Sequence, residues 1–195
     1  MEISRTMTVY GVAGAGHTVG ATHFAVTLAA YLADVRHRKT SLLEWNESGD
    51  FAKIYAVFAG KDIRKPPPEV FSIQAVEYMP AAGRDQVFSC RERGREAVVI
   101  DFGVLREGSE EEFLRCDRRF ILGGLNDWQV GAFSAFAARH RKLPGELMSF
   151  SGGESRIKLM ERFLGIRVGR IPWSPEAGVI TGEMLRFFGS LIPRA

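Results

Sequence analysis

The stretch that decides the fold runs from residue 7 to residue 32 and reads MTVYGVAGAGHTVGATHFAVTLAAYL. It begins with a short β-branched and apolar run, Met7 to Val12, which is typical of a buried strand. A glycine-rich segment follows, and an apolar stretch from about Thr22 to Val35 predicts a helix. In the order strand, loop, helix, consecutive backbone N–H groups and the helix N-terminus form an anion site. We therefore expect a phosphate to bind in this loop.

Strands and helices alternate along the rest of the chain. This alternation predicts a mostly parallel central sheet with right-handed crossovers and helices on both faces, which is a three-layer α/β/α architecture. No internal repeat or linker interrupts it, because the proline run at 66–68 is a loop, so residues 1–195 are expected to form one domain. The predicted strands after the first are 40–44, 71–79, 97–100, 119–122, 146–150 and 166–171, and the predicted helices after the first are 51–58, 110–116, 127–139, 155–164 and 175–191.

The composition is that of an ordinary folded protein. Of the 195 residues, 46% are apolar and 25% are charged, close to the average for globular domains. No apolar run approaches the roughly 18 residues that span a bilayer, and the first residues lack the pattern of a signal peptide. We therefore expect a cytoplasmic protein. The two cysteines, Cys90 and Cys116, are too few for a disulfide framework and lack metal-ligand spacing.

The net charge of +3 is concentrated in three basic clusters. They lie at residues 36–39, 91–95 and 139–142. Such clusters can face phosphates, but the first and last fall at the ends of predicted helices, where cations complement the helix dipole. Nucleic-acid binding is therefore not favoured.

The glycine-rich loop resembles the phosphate-binding loop of the MinD/ParA branch of P-loop NTPases, which commonly reads K-G-G-x-G-K-T-T. With Gly20 on the last glycine, Thr22 takes the place of the magnesium-binding hydroxyl. Ala21 then stands where the family has its phosphate-binding lysine, and Gly16 where it has a second lysine. Both cations are missing, so the loop is degenerate. The resemblance implies a phosphate-binding set consisting of Gly16, His17, Thr18, Val19, Gly20, Ala21, Thr22 and His23.

Two further strands resemble family landmarks. Residues 42–46 fall where the family has a strand ending in D-x-D, and here the two acidic positions are Glu44 and Asn46. Asn46 can hydrogen-bond a water but cannot take its proton. Residues 98–103 resemble the Walker B strand, which places Asp101 to hold magnesium. The resemblance thus implies Thr22 and Asp101 as the metal site, and Glu44, Asn46 and Asp101 as catalytic or switch residues.

The end of the chain continues the resemblance. Residues 116–123 are similar to the family strand that follows an "aD" turn, and residues 164–172 to its "lG..vlG.IP" strand. The loop after that strand borders the nucleotide base in the family, which implies base-side contacts from Pro172 and Trp173.

The resemblance implies a MinD/ParA-like switch protein that binds ATP or ADP with Mg²⁺ and hydrolyses it weakly or not at all. The alternative is a non-enzymatic pseudo-ATPase, an interaction module that no longer binds nucleotide. A second alternative is a Rossmann-type dinucleotide-binding oxidoreductase, because Gly14, Gly16 and Gly20 followed by Glu44 imitate its phosphate turn and ribose-binding acid. We expect a homodimer or a protein partner.

Two peripheral features have competing interpretations. Trp128, at the start of a predicted helix, either stacks on a base or partner or, as we favour, packs on the core. The last helix carries an apolar stripe at Met184, Phe187, Phe188 and Leu191. A membrane-binding tail would carry more basic residues than this helix does, so we expect packing and do not expect membrane binding.

Overall fold

The computed structural model describes residues 7–140, 143–165 and 167–192. Within them, eight strands join one sheet and seven α-helices surround it. The strands are β1 (Thr8–Gly14), β2 (Thr40–Glu44), β3 (Phe71–Ile73), β4 (Val76–Met79), β5 (Ala97–Val104), β6 (Arg118–Leu122), β7 (Glu146–Ser149) and β8 (Val168–Arg170). The helices are α1 (Ala21–Ala30), α2 (Asp50–Ala59), α3 (Arg84–Glu92), α4 (Glu110–Arg115), α5 (Val130–Arg139), α6 (Glu154–Leu164) and α7 (Gly182–Leu191).

The sheet has the strand order β3-β4-β2-β5-β1-β6-β7-β8. Every neighbouring pair is parallel except β3 with β4, which is antiparallel. The glycine-rich loop leaves β1, which lies in the middle of the sheet between β5 and β6. The predicted mostly parallel α/β architecture is confirmed.

Side chains of the central strands alternate between two cores, one on each face of the sheet. On β5, Val99 packs with α1 and α7, whereas Val98 and Ile100 pack with α3 and α4. The first core is filled by aromatic residues such as Phe24 and Phe188, whose ring centroids lie 5.6 Å apart. A third cluster lies beneath α5 and α6. The three predicted layers are therefore present.

Several predicted boundaries are wrong for local reasons. The strand predicted at 71–79 is a hairpin of β3 and β4, because the chain turns at Gln74, whose φ is +52°. Helix α3 was not predicted, and only Cys90 among its residues is buried. The last helix begins at Gly182 rather than 175. Ile166, at the start of the last predicted strand, lies outside the described residues.

Helix α1 continues into a π-helical segment, Tyr31–Val35. The N–H of Arg36 closes this segment by donating to the carbonyl of Tyr31 at 3.1 Å. The Arg36 guanidinium then donates to the carbonyl of Ile192 at 2.7 Å, and that of Arg38 donates to the carbonyl of Glu96 at 2.6 Å. The first basic cluster therefore contributes cations to the fold itself.

The second basic cluster is partly engaged in the same way. Arg93 and Arg95 both form ion pairs with Glu77 on β4, while Arg91 is exposed. The third cluster ends at Arg141 and Lys142, which lie outside the described residues. Every helix within the described ranges is too short or too polar to cross a membrane.

Candidate functional site

The loop between β1 and α1 lines a cavity of about 920 Å³ at the carboxyl edge of the sheet. Its lining includes every residue from Gly16 to His23. Within the described part of the chain, no backbone N–H of these eight residues donates to a protein acceptor. Helix α1 also has no side-chain cap and no acidic residue in its first turn. The loop therefore offers unpaired donors and the positive end of a helix dipole to the cavity.

Two glycines make the tight path of this loop feasible. Gly20 has a φ of +91°, and a Cβ added there would lie 2.8 Å from the ring of Phe150. A Cβ at Gly14 would lie 2.9 Å from the carbonyl oxygen of Gly16 and from Val19. Since both positions lack room for a side chain, glycine is needed at each.

The outer part of the loop is held by the turn that precedes α5. Thr18 has a φ of +58°, and its hydroxyl donates to the carbonyl of His17 at 2.7 Å. The Gln129 amide donates to the Thr18 hydroxyl at 3.2 Å and to the His17 carbonyl at 3.4 Å. Asn126 donates in turn to the Gln129 side-chain oxygen at 2.7 Å. His17 and Thr18 remain exposed at the edge of the cavity and do not fill it.

The two positions that lack lysine lie on the cavity wall. Ala21 is 8% exposed, whereas a Cβ at Gly16 would meet nothing within 4 Å. The structure thus leaves space beside Gly16.

Asp101 and Thr22 come together at the base of the loop. Asp101 is fully buried; its Oδ1 accepts the Gly103 N–H at 2.9 Å, while its Oδ2 has no hydrogen-bond partner among the described residues. Burial raises the pKa of Asp101 to about 6. The Thr22 hydroxyl and the Gly103 N–H oppose this rise, because each stabilises the charged carboxylate.

Asp50, the first residue of α2, is a site residue that the sequence reasoning missed. It lines the cavity, forms an ion pair with Lys53 at 2.6 Å and interacts with the Thr22 hydroxyl. Burial alone would raise the pKa of Asp50, but hydrogen bonds to Lys53, Ser48 and Thr22 hold it below the usual value. Thr22 thus lies between two carboxylates, those of Asp50 and Asp101.

The side chains of Glu44 and Asn46, the predicted switch residues, form hydrogen bonds within the protein. The buried Glu44 carboxylate accepts the Phe51 N–H at 3.2 Å, which caps α2. The Asn46 amide donates to the Asp101 carbonyl at 2.9 Å, and its oxygen accepts the Ser48 N–H at 2.9 Å. Asn46 still lines the cavity, but Glu44 does not.

The predicted base-side residues lie beyond His23. The His23 ring stacks on Trp173 with centroids 6.5 Å apart and meets Phe150 edge-on at 5.3 Å. Its Nε2 is buried without a partner in the described structure, and burial lowers the pKa of His23. Trp173 is 71% exposed and Pro172 is half-buried. Neither Pro172 nor Trp173 lines the cavity, whereas His23, which Trp173 contacts, does.

Trp128 corrects another expectation. Its side chain is 80% exposed, so it does not pack on the core as we favoured. The predicted helix start at Asp127 is also three residues too early, because residues 126–129 form a turn before α5.

The strand order argues against the dinucleotide-binding alternative. In a Rossmann fold with the order 3-2-1-4-5-6, the ribose-binding acid ends the strand next to β1. Here β5 lies between β1 and β2, so Glu44 is one strand away from the loop. The glycines of the loop and Glu44 therefore do not have the relative positions of a Rossmann dinucleotide site.

The oxygen donors suit a hard cation. Carboxylate and hydroxyl oxygens are the ligands of Mg²⁺, which keeps several waters. Asp101, Thr22 and Asp50 offer such oxygens. The Oδ2 of Asp101 is buried without a hydrogen-bond partner in the described structure, and Asp101 is not among the residues that line the cavity. No group of three or more His, Cys, Asp or Glu side chains that could hold a metal ion occurs in the described ranges.

No protein-family model and no curated protein matches the chain, but solved structures do. A plasmid partition protein from Borrelia burgdorferi bound to AMPPNP is 14% identical, with a TM-score of 0.63 over 96% of this chain and 100% of that one. MinD in the MinC:MinD complex of Aquifex aeolicus is 11% identical, with a TM-score of 0.62 over 92% and 86%. A ParA family ATPase from Chlorobium tepidum is 11% identical, with a TM-score of 0.59 over 98% and 94%. The resemblance predicted from the motifs is confirmed at the level of the fold, and the chain has the fold of the ParA/MinD ATPases.

Proposed function

We propose that this protein is a nucleotide-dependent switch that binds ATP or ADP with Mg²⁺ in the loop from Gly16 to His23. The observation that carries the proposal is the set of unpaired backbone N–H groups from Gly16 to His23 that lines the cavity. Such donors bind phosphate without a lysine, because the partial charges belong to the backbone. The phosphates would lie over the N-terminus of α1.

Magnesium would be held beside those phosphates by Thr22, with Asp101 acting through a water and Asp50 as an additional carboxylate. The buried, unpartnered Oδ2 of Asp101 supports this assignment. The cation would neutralise phosphate charge and orient the bound phosphates. In the free protein, Asp101 carries an uncompensated desolvation cost that a bound cation would offset.

Hydrolysis is expected to be slow or absent. Ala21 and Gly16 provide no cation for the charge that develops in phosphoryl transfer, a contribution worth about 3 to 4 kcal/mol for a single donor in other active sites. Asn46 cannot act as a base, and its amide is already bonded to the backbone. The bound nucleotide, ATP or ADP, would then determine whether the protein contacts a second copy of itself or a protein partner.

The test is titration of a fluorescent ADP with the full chain, with Mg²⁺ and with EDTA. We expect saturable binding that weakens when Mg²⁺ is removed and in Asp101→Asn, while Asp117→Asn serves as a control acid outside the cavity. Failure of the wild-type chain to bind ADP or ATP would contradict the proposal. Rapid Mg²⁺-dependent phosphate release, lost in Asp101→Ala, would contradict slow hydrolysis.

The non-enzymatic interaction module is the second candidate. It is favoured by the acidic lining of the cavity, which contains Glu47, Asp50 and Glu107, because like charges oppose phosphate binding. Absence of ADP binding together with an unchanged melting temperature at millimolar Mg²⁺ and nucleotide would favour it. An NADH titration alongside tests the oxidoreductase alternative, and we expect no binding there.

A further inference from the structure

We propose that Arg106 supplies the positive charge that the phosphate-binding loop lacks, by contacting the terminal phosphate of the bound nucleotide. This inference rests on the proposed function. Arg106 is distant in sequence from the loop, and no motif marks it. It is the only Lys or Arg among the lining residues of the described cavity.

The first argument is placement. At the carboxyl edge of the sheet, Gly14 pairs with Val104 of β5. The N–H of Leu105 then donates to the carbonyl of Gly14 at 3.1 Å. Arg106 is therefore one residue beyond a direct hydrogen bond to the start of the phosphate-binding loop, and it lines the same cavity.

The second argument is that the backbone of Arg106 is fixed while its side chain is unpaired. The Arg106 N–H donates to the Ser109 hydroxyl at 3.2 Å, and that hydroxyl donates to the Arg106 carbonyl at 2.9 Å. The Ser109 N–H donates to the same carbonyl at 3.1 Å. No hydrogen bond or ion pair to the Arg106 guanidinium occurs within the described residues, whereas Arg84, Arg93 and Arg95 are each paired with a glutamate.

The third argument is the balance of charge. The other charged side chains on the cavity wall are Glu47, Asp50 and Glu107, and of these Asp50 is paired with Lys53. Arg106 offsets part of this negative charge, which a nucleotide phosphate would otherwise face in full. A guanidinium can bind phosphate oxygens in a bidentate manner and stays charged at all relevant pH values.

The test compares Arg106→Gln with Arg91→Gln, which removes an exposed cation that does not line the cavity. We expect Arg106→Gln to raise the Kd for Mg²⁺-ADP by about 10- to 100-fold, as for loss of a hydrogen bond to a charged group. The Kd for adenosine, which has no phosphate, is expected to stay the same. Arg91→Gln should change neither value.

A charge-relocation variant sharpens the test. The double variant Gly16→Lys/Arg106→Gln is expected to recover most of the affinity for Mg²⁺-ADP, since a side chain at Gly16 meets no atom within 4 Å of its Cβ. The inference alone fails if the wild-type chain binds Mg²⁺-ADP and Arg106→Gln binds it equally well. It also fails if adenosine binding weakens as much as ADP binding. If the wild-type chain binds no nucleotide, the proposed function itself fails.

Discussion

The Cβ position of Gly20 lies 2.8 Å from Cδ2 of Phe150, so the end of the phosphate-binding loop is in direct contact with the segment that follows β7. Gly20→Ala combines this clash with a backbone at φ +91°. We expect it to lower the free energy of unfolding by more than the roughly 1–2 kcal/mol of left-handed strain alone, because overpacking adds about 1–3 kcal/mol. Urea denaturation measures the loss.

The matched control is Gly49→Ala. Gly49 also has a positive φ, +64°, but a Cβ there meets nothing within 4 Å. It should therefore report backbone strain without the clash. Equal losses in the two variants would contradict the role assigned to Phe150.

Gln129 is expected to order the outer part of the loop. Gln129→Ala removes the hydrogen bonds to His17 and Thr18, each worth about 0.5–1.5 kcal/mol. We predict faster amide exchange at residues 16–20 and a several-fold weaker affinity for Mg²⁺-ADP, measured by hydrogen–deuterium exchange and by titration. Trp128→Ala, at an adjacent exposed residue, is the control. Unchanged exchange in Gln129→Ala would show that the loop is held by other contacts.

The two thiols are expected to be inert in the folded protein. Cys90 and Cys116 are buried, and burial raises the pKa of Cys116 to about 12 and also raises that of Cys90. Because the thiolate is the reactive form, a raised pKa lowers reactivity at every pH below it. At pH 8 we predict negligible reaction with a disulfide reagent under native conditions and two reactive thiols per chain in guanidinium chloride. Rapid native labelling would contradict this packing.

Phe188 on α7 is expected to act through the core. Its ring stacks on Tyr31 with centroids 5.0 Å apart and is fully buried, whereas Leu185 is 46% exposed. Phe188→Ala should cost about 3–5 kcal/mol of unfolding free energy, and Leu185→Ala about 0.5 kcal/mol or less. Thermal unfolding of both variants tests this. If Phe188→Ala keeps its melting temperature but loses binding to anionic liposomes, the apolar face of α7 binds membranes instead of packing on the core.

Local patterns could predict the central part of the fold because its strands are almost wholly apolar. Residues 97–100 have side chains buried on both faces, and such runs are recognisable without any partner. Helix α3 could not be found in this way, because one buried cysteine in nine polar-rich residues gives no apolar period. Its remaining signal was the Gln86 side chain, which accepts the N–H of Gly83 at the start of the helix.

The residues of the candidate site also fall into two groups, those within continuous sequence motifs and those brought to the site by distant segments. The loop from Gly16 to His23 and Asp101 lie in continuous motifs, which is why the sequence alone could propose them as site residues. Asp50, Gln129 and Arg106 begin or precede three other elements. Arg106 and Gln129 reach the site because the sheet places β1 beside β5 and β6, and Asp50 reaches it from the end of β2, on the far side of β5. Their contribution depends on strand order, which short-range patterns do not specify.

The π-helical segment after α1 bears on how the chain tolerates insertions and deletions. A π turn holds one more residue than the α turn it replaces, so removing one residue from Tyr31–Val35 would restore a regular helix. The deletion would change the helix only locally, because one π turn and one α turn complete nearly the same rotation. Arg38 would then keep its hydrogen bonds to Tyr10, Thr8 and the Glu96 carbonyl. This segment is therefore expected to tolerate loss of one residue better than the regular helix α1 before it, where the same deletion would rotate everything downstream by about 100°.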